Sequence, residues 1–302
     1  MPAIPAAQSI ASLSNKMQKT WSTPVTEEGL QPVPCAVCGG ANFRPSLSCE
    51  GFSYVKCAVC GLVQMNPQPL AADVGRRYRD LHGSDYCSYE LRNEANFLEL
   101  QKLALKDAGF DRIEHELMNR DTKPSVLDLG CAAGAMLSYL KERGWQPVGV
   151  EISPAAGYAR KERNLDVRQS IFEECHFPDE SFDLALASHF IEHLNNPATC
   201  AKEAWRVLRR GGYFLITTPN IVGFQARLFG SRWRSAIFDH LYLFSKHTVS
   251  AMLVNSGFEI EDIYTWGGLA AGTVPLPLKR FADNTAKILG IGDVMLIKAR
   301  KK

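Results

Sequence analysis

The chain of 302 residues contains no apolar run long enough to cross a lipid bilayer. Its first residues also lack the basic segment and apolar core that together mark a secretory signal. These two absences argue against a membrane-embedded or exported protein. We therefore expect a water-soluble protein in the cytoplasm, without a membrane span.

The sequence also lacks a strong excess of charge and an internal repeat of fixed period. Lys and Arg number 34 against 32 Asp and Glu, and the net charge of +2 does not by itself indicate nucleic-acid binding. Nine cysteines are present, but without an export signal they favour thiol or metal chemistry over disulfide bonds. The 46% hydrophobic and 22% charged content is typical of a globular protein.

Four of the cysteines form two copies of one motif, Cys-Ala-Val-Cys-Gly, at residues 35–39 and 57–61. A two-residue gap lets both thiolates of a pair reach one tetrahedral zinc ion, and the following glycine accepts the positive φ of this turn. Four thiolates leave no open coordination position, so such a zinc is structural. The motif predicts a zinc site formed by Cys35, Cys38, Cys57 and Cys60.

Four regions follow one another along the chain. Residues 1–34 are rich in Ala, Ser, Pro and Gln and are expected to form a flexible arm. We assign residues 35–69 to a zinc ribbon and 70–122 to a helical linker with one helix at about 91–117. Residues 123–302 form an α/β domain, with a lid segment at about 221–247.

The last region alternates between strands and helices, which predicts a doubly wound, mostly parallel sheet of seven strands. The strands are expected at 126–129, 147–150, near 167, and at 182–187, 213–217, 258–264 and 294–297. The helices are expected at 136–142, 155–164, 199–208 and 246–255. Gly211-Gly212 is expected to act as the stop signal of the third helix.

The first of these strands runs into a turn of small residues, Gly130–Gly134, that opens a helix. Such a turn lets backbone approach a ligand closely, and the amino end of a helix suits an anionic group. At the end of the next strand stands Glu151, where a carboxylate can accept hydrogen bonds from both hydroxyls of a ribose. The two features together predict an adenosine-containing cofactor.

A nicotinamide dinucleotide is disfavoured as that cofactor. Its fingerprint requires glycine at the first, third and sixth positions, which here are Gly130, Ala132 and Ala135. The preceding acid, Asp128, would repel a diphosphate but attract an ammonium or a sulfonium group. A methyl donor fits these charges better.

These residues resemble the class I S-adenosylmethionine-dependent methyltransferases, whose first motif reads acid-x-Gly-x-Gly-x-Gly. The chain matches at Asp128, Gly130 and Gly134 and has Ala132 at the middle glycine. The resemblance covers residues 123–220 and implies a Rossmann-like domain that binds S-adenosylmethionine. In the family an acid often precedes the adenine-contacting position, but here Ile171 precedes Phe172, which leaves apolar packing for adenine. The implied cofactor-binding residues are Asp128, Gly130, Cys131, Ala132, Gly134, Glu151, Ile152, Phe172, Ser188 and His189.

The spacing His189-x-x-Glu192-His193 predicts a helix that presents two imidazoles and a carboxylate on one face. We predict His193 as the catalytic base for an acceptor hydroxyl, with Glu192 holding its tautomer or binding an ion. The segment is similar to the acid-x-x-Glu-His motif of ubiquinone-pathway O-methyltransferases and small-RNA terminal 2′-O-methyltransferases, some of which use a metal. A divalent metal at His189, Glu192 and His193 therefore stays open, with Asp239-His240 as a source of a further ligand.

Three functions follow from these patterns. The first is methyl transfer to a hydroxyl of a small molecule or saccharide, since a ribbon before such a domain resembles bacterial sugar-modifying methyltransferases. The second is RNA methylation guided by the ribbon, which resembles certain ribosomal-RNA methyltransferases and would use the basic cluster at residues 227–234. Near-neutral charge and Thr217–Asn220, which does not match the Asn/Asp-Pro-Pro-aromatic motif, disfavour it. The third is a cofactor-binding scaffold without catalysis.

Overall fold

The computed structural model describes residues 29–81, 83–120, 122–267 and 276–302. Most of the predicted flexible arm, residues 1–28, and the Gly- and Pro-rich residues 268–275 lie outside the described residues. The strands are β1 Leu30–Gln31, β2 Phe43–Cys49, β3 Phe52–Cys57, β4 Val63–Met65, β5 Gln68–Pro69, β6 Ser125–Leu129, β7 Gln146–Val150, β8 Asp166–Arg168, β9 Phe182–Ser188, β10 Leu208–Pro219, β11 Tyr242–Leu243, β12 Phe258–Trp266 and β13 Val294–Lys301. The α-helices are α1 Ala71–Arg76, α2 Gly83–Asp107, α3 Phe110–Met118, α4 Ala135–Glu142, α5 Ala155–Arg163, α6 Pro197–Val207, α7 Phe224–Phe229, α8 Lys246–Asn255 and α9 Leu276–Ile288.

Seven strands form one central sheet in the order β12-β13-β10-β9-β6-β7-β8. Neighbouring strands from β8 to β10 are parallel, and β13 pairs antiparallel with both β10 and β12. The chain winds outward from β6 to β8 and then outward from β9 in the other direction, which makes the gap between β6 and β9 the switch point of the sheet. Ligands of open α/β sheets bind at the carboxyl ends of strands at such a point.

Both faces of this sheet are buried, as expected for parallel strands with apolar runs. On one face Val126, Leu184 and Leu215 pack against the linker helices α2 and α3. On the other face Leu127, Ala185 and Ile216 belong to one core with residues of the ribbon and the lid. Among the described helices, none has both the length and the apolar content that a membrane crossing requires.

The predicted α/β fold with a seven-stranded, mostly parallel sheet is confirmed. The predicted stop at Gly211-Gly212 is wrong, because the helix α6 ends at Val207 and Leu208 already pairs with Phe182 of β9. The register shifts between Leu208 and Tyr213, and Gly211 there has a φ of 76°. This glycine therefore serves a bulge at the start of β10.

The single linker helix predicted at about 91–117 is also wrong. The structure has two helices, α2 and α3, and Gly109 between them has a φ of 72°. A left-handed glycine ends a helix, and here the chain turns so that Ile113 and Leu117 of α3 reach the sheet core. Before α2, a π-helix at Arg77–Leu81 follows α1, and it approaches the carboxyl edge of the sheet.

Ribbon strands β2, β3 and β4 form an antiparallel sheet whose fourth strand, β11, comes from the predicted lid. Tyr242 and Leu243 pair with Gln64 and Val63 of β4. Trp233 of the same lid segment is 1% exposed in the shared core. The lid and the ribbon are therefore packed as one unit, while the domain boundaries at residues 34, 69 and 122 stay predictions.

Candidate active site

The turn after β6 has the backbone conformation that its small residues permit. Gly130 and Gly134 have φ values of 72° and 83°, and Ala132 between them has a φ of 47°. A Cβ atom on Gly130 would lie 2.6 Å from the Phe190 ring, and one on Gly134 would lie 2.6 Å from Leu165. Glycine is thus required twice, whereas the middle position admits a methyl group in a left-handed conformation that costs about 1–2 kcal/mol.

The Glu151 carboxylate, which ends β7, joins this turn to the next loop. Its Oε2 accepts a hydrogen bond of 3.0 Å from the amide of Ala132, and its Oε1 accepts one of 2.7 Å from the amide of Ser153. The side chain is 6% exposed. The Ser153 side chain and the Ile152 amide also act on this carboxylate, which has about four acceptor positions, so the group is held in place at the end of the strand.

Asp128 and Glu151 are two buried acids at the site without a positively charged partner among the described residues. Burial and the nearby Glu151 raise the pKa of Asp128 to about 7, and burial raises the pKa of Glu151. Among the described residues, no Lys, Arg or His lies within ion-pair distance of either carboxyl group. A cationic ligand at this point would stabilise both carboxylates.

Other residues predicted around the cofactor lie at the same edge of the sheet. Cys131 is 6% exposed and lies where a Cβ on Gly149 would touch its sulfur, in agreement with a packing role. Ile152 and Ser188 are half-buried after β7 and at the end of β9. Phe172 is 2% exposed within the core, whereas Ile171 is 39% exposed, so Ile171 offers the free apolar surface of this turn.

The predicted helix over His189–His193 is wrong. His189 has a φ of 50°, residues Ile191–His193 form a single 3-10 turn, and α6 begins only at Pro197. The reason is burial: Glu192 is fully buried, and its Oε2 accepts a hydrogen bond of 3.0 Å from the Thr218 hydroxyl at the end of β10. The loop therefore folds over the edge of the sheet, with the His189 Nδ1 atom 3.2 Å from Glu192 Oε1.

The structure brings Glu192 together with His193 and His240. One ligand atom of each lies within 4.8 Å of the others, whereas His189 is not part of this trio. His193 Nδ1 lies 2.9 Å from the carbonyl oxygen of Asp239, and His240 Nδ1 lies 2.8 Å from that of Ser235. Since carbonyl oxygens only accept, both Nδ1 atoms donate, and in the neutral form of each imidazole the Nε2 atom carries the lone pair.

Electrostatics in the trio favour an ionised acid and a neutral imidazole. Burial alone would raise the pKa of Glu192, but His189, His193 and His240 lower it to about 2. Burial lowers the pKa of His240 to about 3, and His193 adds to this effect. The trio thus presents one carboxylate and imidazole lone pairs, which can accept a proton or bind a divalent ion.

Residues of the linker and the lid complete this region, and sequence patterns did not reveal their contacts. The Tyr78 hydroxyl lies 3.1 Å from His193 Nδ1. Arg77 forms a buried ion pair with Asp239 and stacks over Phe238, with its guanidinium carbon 4.6 Å from the ring centroid. The sequence shows only an arginine followed by a tyrosine at this point, a pair with no characteristic spacing to His193 or Asp239.

Comparison with known proteins agrees with this geometry. Residues 93–263, more than half of the chain, match the methyltransferase domain family. A probable S-adenosylmethionine-dependent methyltransferase of Mycolicibacterium smegmatis is 29% identical over 168 residues, which are 53% of this chain and 62% of that protein. A ubiquinone biosynthesis O-methyltransferase of Alkalilimnicola ehrlichii is 28% identical over 102 residues, 32% of this chain and 41% of that protein.

Among solved structures, a SAM-dependent methyltransferase from Archaeoglobus fulgidus is similar with a TM-score of 0.46 and 21% identity. The match covers 65% of this chain and 94% of that chain. Against the two relatives above, the chain spans 62% and 41% of their length. On the family match over residues 93–263, the chain belongs to the methyltransferase domain family.

Proposed function

We propose that the protein is an S-adenosylmethionine-dependent methyltransferase that acts on a hydroxyl group of a small molecule or saccharide. The observation that carries this proposal is the pair of buried carboxyl groups, Asp128 and Glu151, beside a glycine turn and without a described cation. S-adenosylmethionine supplies an activated methyl group on a cationic sulfonium, together with an ammonium group. These two positive charges complement the carboxyl groups of Asp128 and Glu151.

Within this proposal, Glu151 accepts hydrogen bonds from the ribose and Asp128 attracts the cationic end of the cofactor. The exposed Ile171 gives adenine an apolar surface. Calorimetric titration with S-adenosylmethionine tests the assignment: Glu151→Ala should weaken binding at least tenfold. The matched control is Glu162→Ala, an exposed acid on α5 that should leave binding unchanged. Equal affinity in Glu151→Ala and wild type would remove Glu151 from the site.

At the acceptor side, His193 is the group we propose nearest to the reacting oxygen. S-adenosylmethionine, when bound, would supply its methyl group to the hydroxyl oxygen while its sulfur keeps the electrons of the broken carbon–sulfur bond, and the hydroxyl proton would need an acceptor. His193 Nε2 is suited to take this proton because its Nδ1 is held by the Asp239 carbonyl, 2.9 Å away. Most of the rate then comes from the placement of the acceptor in line with the methyl group.

In the second form of this proposal, a divalent ion activates the acceptor hydroxyl. The trio has suitable ligands for such an ion. Glu192, His193 and His240 offer one carboxylate and two imidazole nitrogens within 4.8 Å of one another. Each imidazole donates its Nδ1–H to a backbone carbonyl, as metal-binding histidines do with the nitrogen that does not hold the ion. The ion would lower the pKa of a bound hydroxyl, and the trio replaces the ligand set expected from the sequence by exchanging His189 for His240.

Two measurements distinguish these forms. His193→Ala should abolish turnover in both while S-adenosylmethionine affinity is kept, and near-normal turnover would refute the role of His193. Glu192→Gln should lower turnover more strongly if an ion is bound, because the carboxylate is then a ligand. Metal analysis decides between them: wild type should contain one more metal per chain than His240→Ala if the ion is present, and equal content leaves the metal-free base.

We also propose that the four cysteines bind a structural zinc ion. Their sulfur atoms lie within 4.8 Å of one another, with 3.3 Å between Cys35 and Cys60 and 3.5 Å between Cys38 and Cys57. Zinc–sulfur bonds of about 2.3 Å in a tetrahedron separate sulfur atoms by about 3.8 Å, so a small adjustment fits the ion. Gly39 and Gly61 have φ values of 71° and 80°, as the knuckle requires. Less than one zinc per chain in purified protein would contradict the assignment.

RNA methylation is less well supported. Trp233, the aromatic residue of the basic cluster, is 1% exposed and cannot stack on a base. The relative from Alkalilimnicola ehrlichii carries a name that places its action in ubiquinone biosynthesis, which is small-molecule chemistry. A scaffold without catalysis would bind S-adenosylmethionine but leave every tested hydroxyl acceptor unmethylated, so a screen of radiolabelled methyl transfer separates scaffold from enzyme.

A further inference from the structure

A groove of about 450 Å³ separates the ribbon sheet from the lid helix α7 and the amino end of α8. Ser46 and Lys56 of the ribbon line one side, and Arg227, Ser245 and His247 line the other. No Asp or Glu is present among the described residues that line it. The polar part of the lining therefore consists of hydroxyl groups and basic side chains, and the remainder is formed by small and apolar residues and by Cys60.

The positive charge at this groove is uncompensated. Arg44 lies directly opposite Lys56 in the β2–β3 pair, and like charges at such positions repel each other. In the part of the chain that the structure describes, Arg44, Lys56 and Arg227 form no ion pair, whereas Arg163 and Arg206 elsewhere are paired with acids. A bound anion would relieve this repulsion.

The groove begins close to the acceptor side of the proposed active site. Ile221 and Val222 line it, and Thr218, three residues before Ile221, binds the Glu192 carboxylate. Three residues of chain span at most about 11 Å. This distance is within the reach of one molecule of moderate size that has an anionic group at one end and a hydroxyl at the other.

We propose that the groove binds a phosphate or diphosphate group of the acceptor, so that the substrate is a phosphorylated saccharide or similar small molecule. This inference rests on the proposed function and names its substrate class. A volume of about 450 Å³ suits a small ligand rather than a nucleic-acid strand. Among the described residues that line the groove there is no Phe, Tyr or Trp, so these residues offer a base no ring to stack on.

Calorimetric titration of the full chain with inorganic pyrophosphate and with glucose 1-phosphate tests the inference. Wild type should bind both, and Lys56→Glu and Arg227→Glu should each weaken binding at least tenfold. Arg210→Glu is the matched control, because this exposed residue changes the net charge equally from the other end of β10 and should leave affinity unchanged. Lys56→Gln and Arg227→Gln should show smaller losses and serve where charge reversal impairs folding.

Absence of pyrophosphate binding to wild type would overturn the inference, and so would an equal loss of affinity in Arg210→Glu. Tighter binding of a short RNA than of pyrophosphate, lost in the Lys56 and Arg227 variants, would replace it with a nucleic-acid site. Titration of each variant with S-adenosylmethionine distinguishes a failure of the groove inference from a failure of the proposed function. Unchanged cofactor affinity with lost pyrophosphate binding supports the groove, whereas failure of the wild type to bind the cofactor refutes the enzyme and not the groove.

Discussion

The hydroxyl oxygen of Tyr54 lies 2.8 Å from the carbonyl oxygen of His240. Tyr54 belongs to ribbon strand β3 and is 1% exposed, while His240 belongs to the lid and to the trio with Glu192 and His193. The same hydroxyl is 2.8 Å from the carbonyl oxygen of Ile237. Burial raises the pKa of Tyr54, so the hydroxyl stays a donor to this loop. The ribbon thus fixes the backbone that presents His240.

Replacing Tyr54 with Phe should therefore lower turnover by about tenfold through misplacement of the trio. Affinity for S-adenosylmethionine should stay unchanged, since Asp128 and Glu151 are not involved. Tyr213→Phe is the control, because it removes a hydroxyl bond of 2.9 Å to Glu116 away from the trio. If both variants lose the same turnover, Tyr54 has only a general structural role.

The affinity for S-adenosylmethionine should depend on pH through Asp128. Its pKa of about 7 means that the carboxyl is neutral below this pH and ionised above it. Only the ionised form attracts a cation, so affinity should fall up to about tenfold per pH unit below about pH 7. Calorimetry between about pH 5.5 and 7 measures this slope. Asp128→Asn should bind more weakly and flatten it, and an unaltered slope would assign the titration to another group such as Glu151, whose pKa burial also raises.

Ala132→Gly should stabilise the folded protein. Ala132 has a φ of 47°, a conformation that costs a residue with a Cβ about 1–2 kcal/mol and costs glycine little. The larger conformational entropy of glycine in the unfolded chain offsets part of this relief of strain. We therefore expect a gain of about 0.5–1 kcal/mol in the free energy of unfolding. Urea unfolding measures it. Ala133→Gly, at a buried neighbour without positive φ, should destabilise instead, and a gain in both variants would contradict the strain argument.

Arg77→Met should destabilise the protein by about 3 kcal/mol, because it leaves Asp239 buried and unpaired. The neighbouring Arg76 provides a control: it pairs with Asp73, but its side chain is 61% exposed. Arg76→Met should change the free energy of unfolding by less than about 0.5 kcal/mol. Denaturant unfolding of the two variants side by side compares them, and equal losses would show that the Arg77 pair has no special weight.

Local patterns in the sequence determined much of this protein. The cysteine knuckles, the glycine turn and Glu151 follow from spacings of a few residues and from strand ends, where backbone geometry leaves little choice. The alternation of apolar runs likewise predicted all seven strands of the sheet, since burial on both faces requires such runs. The helix predicted from local spacing at His189–His193 is wrong. A spacing of three and four residues is also compatible with a 3-10 turn in which Glu192 is buried.

Only the tertiary structure decided which groups meet at the acceptor side. Tyr54 and His240 are 186 residues apart in the chain, and Tyr78 and His193 are 115 apart. Their contacts depend on the addition of lid strand β11 to the ribbon sheet and on the π-helix of the linker reaching the sheet edge. No periodicity records such long-range packing, because it arises from the fit of whole surfaces rather than from the spacing of neighbours.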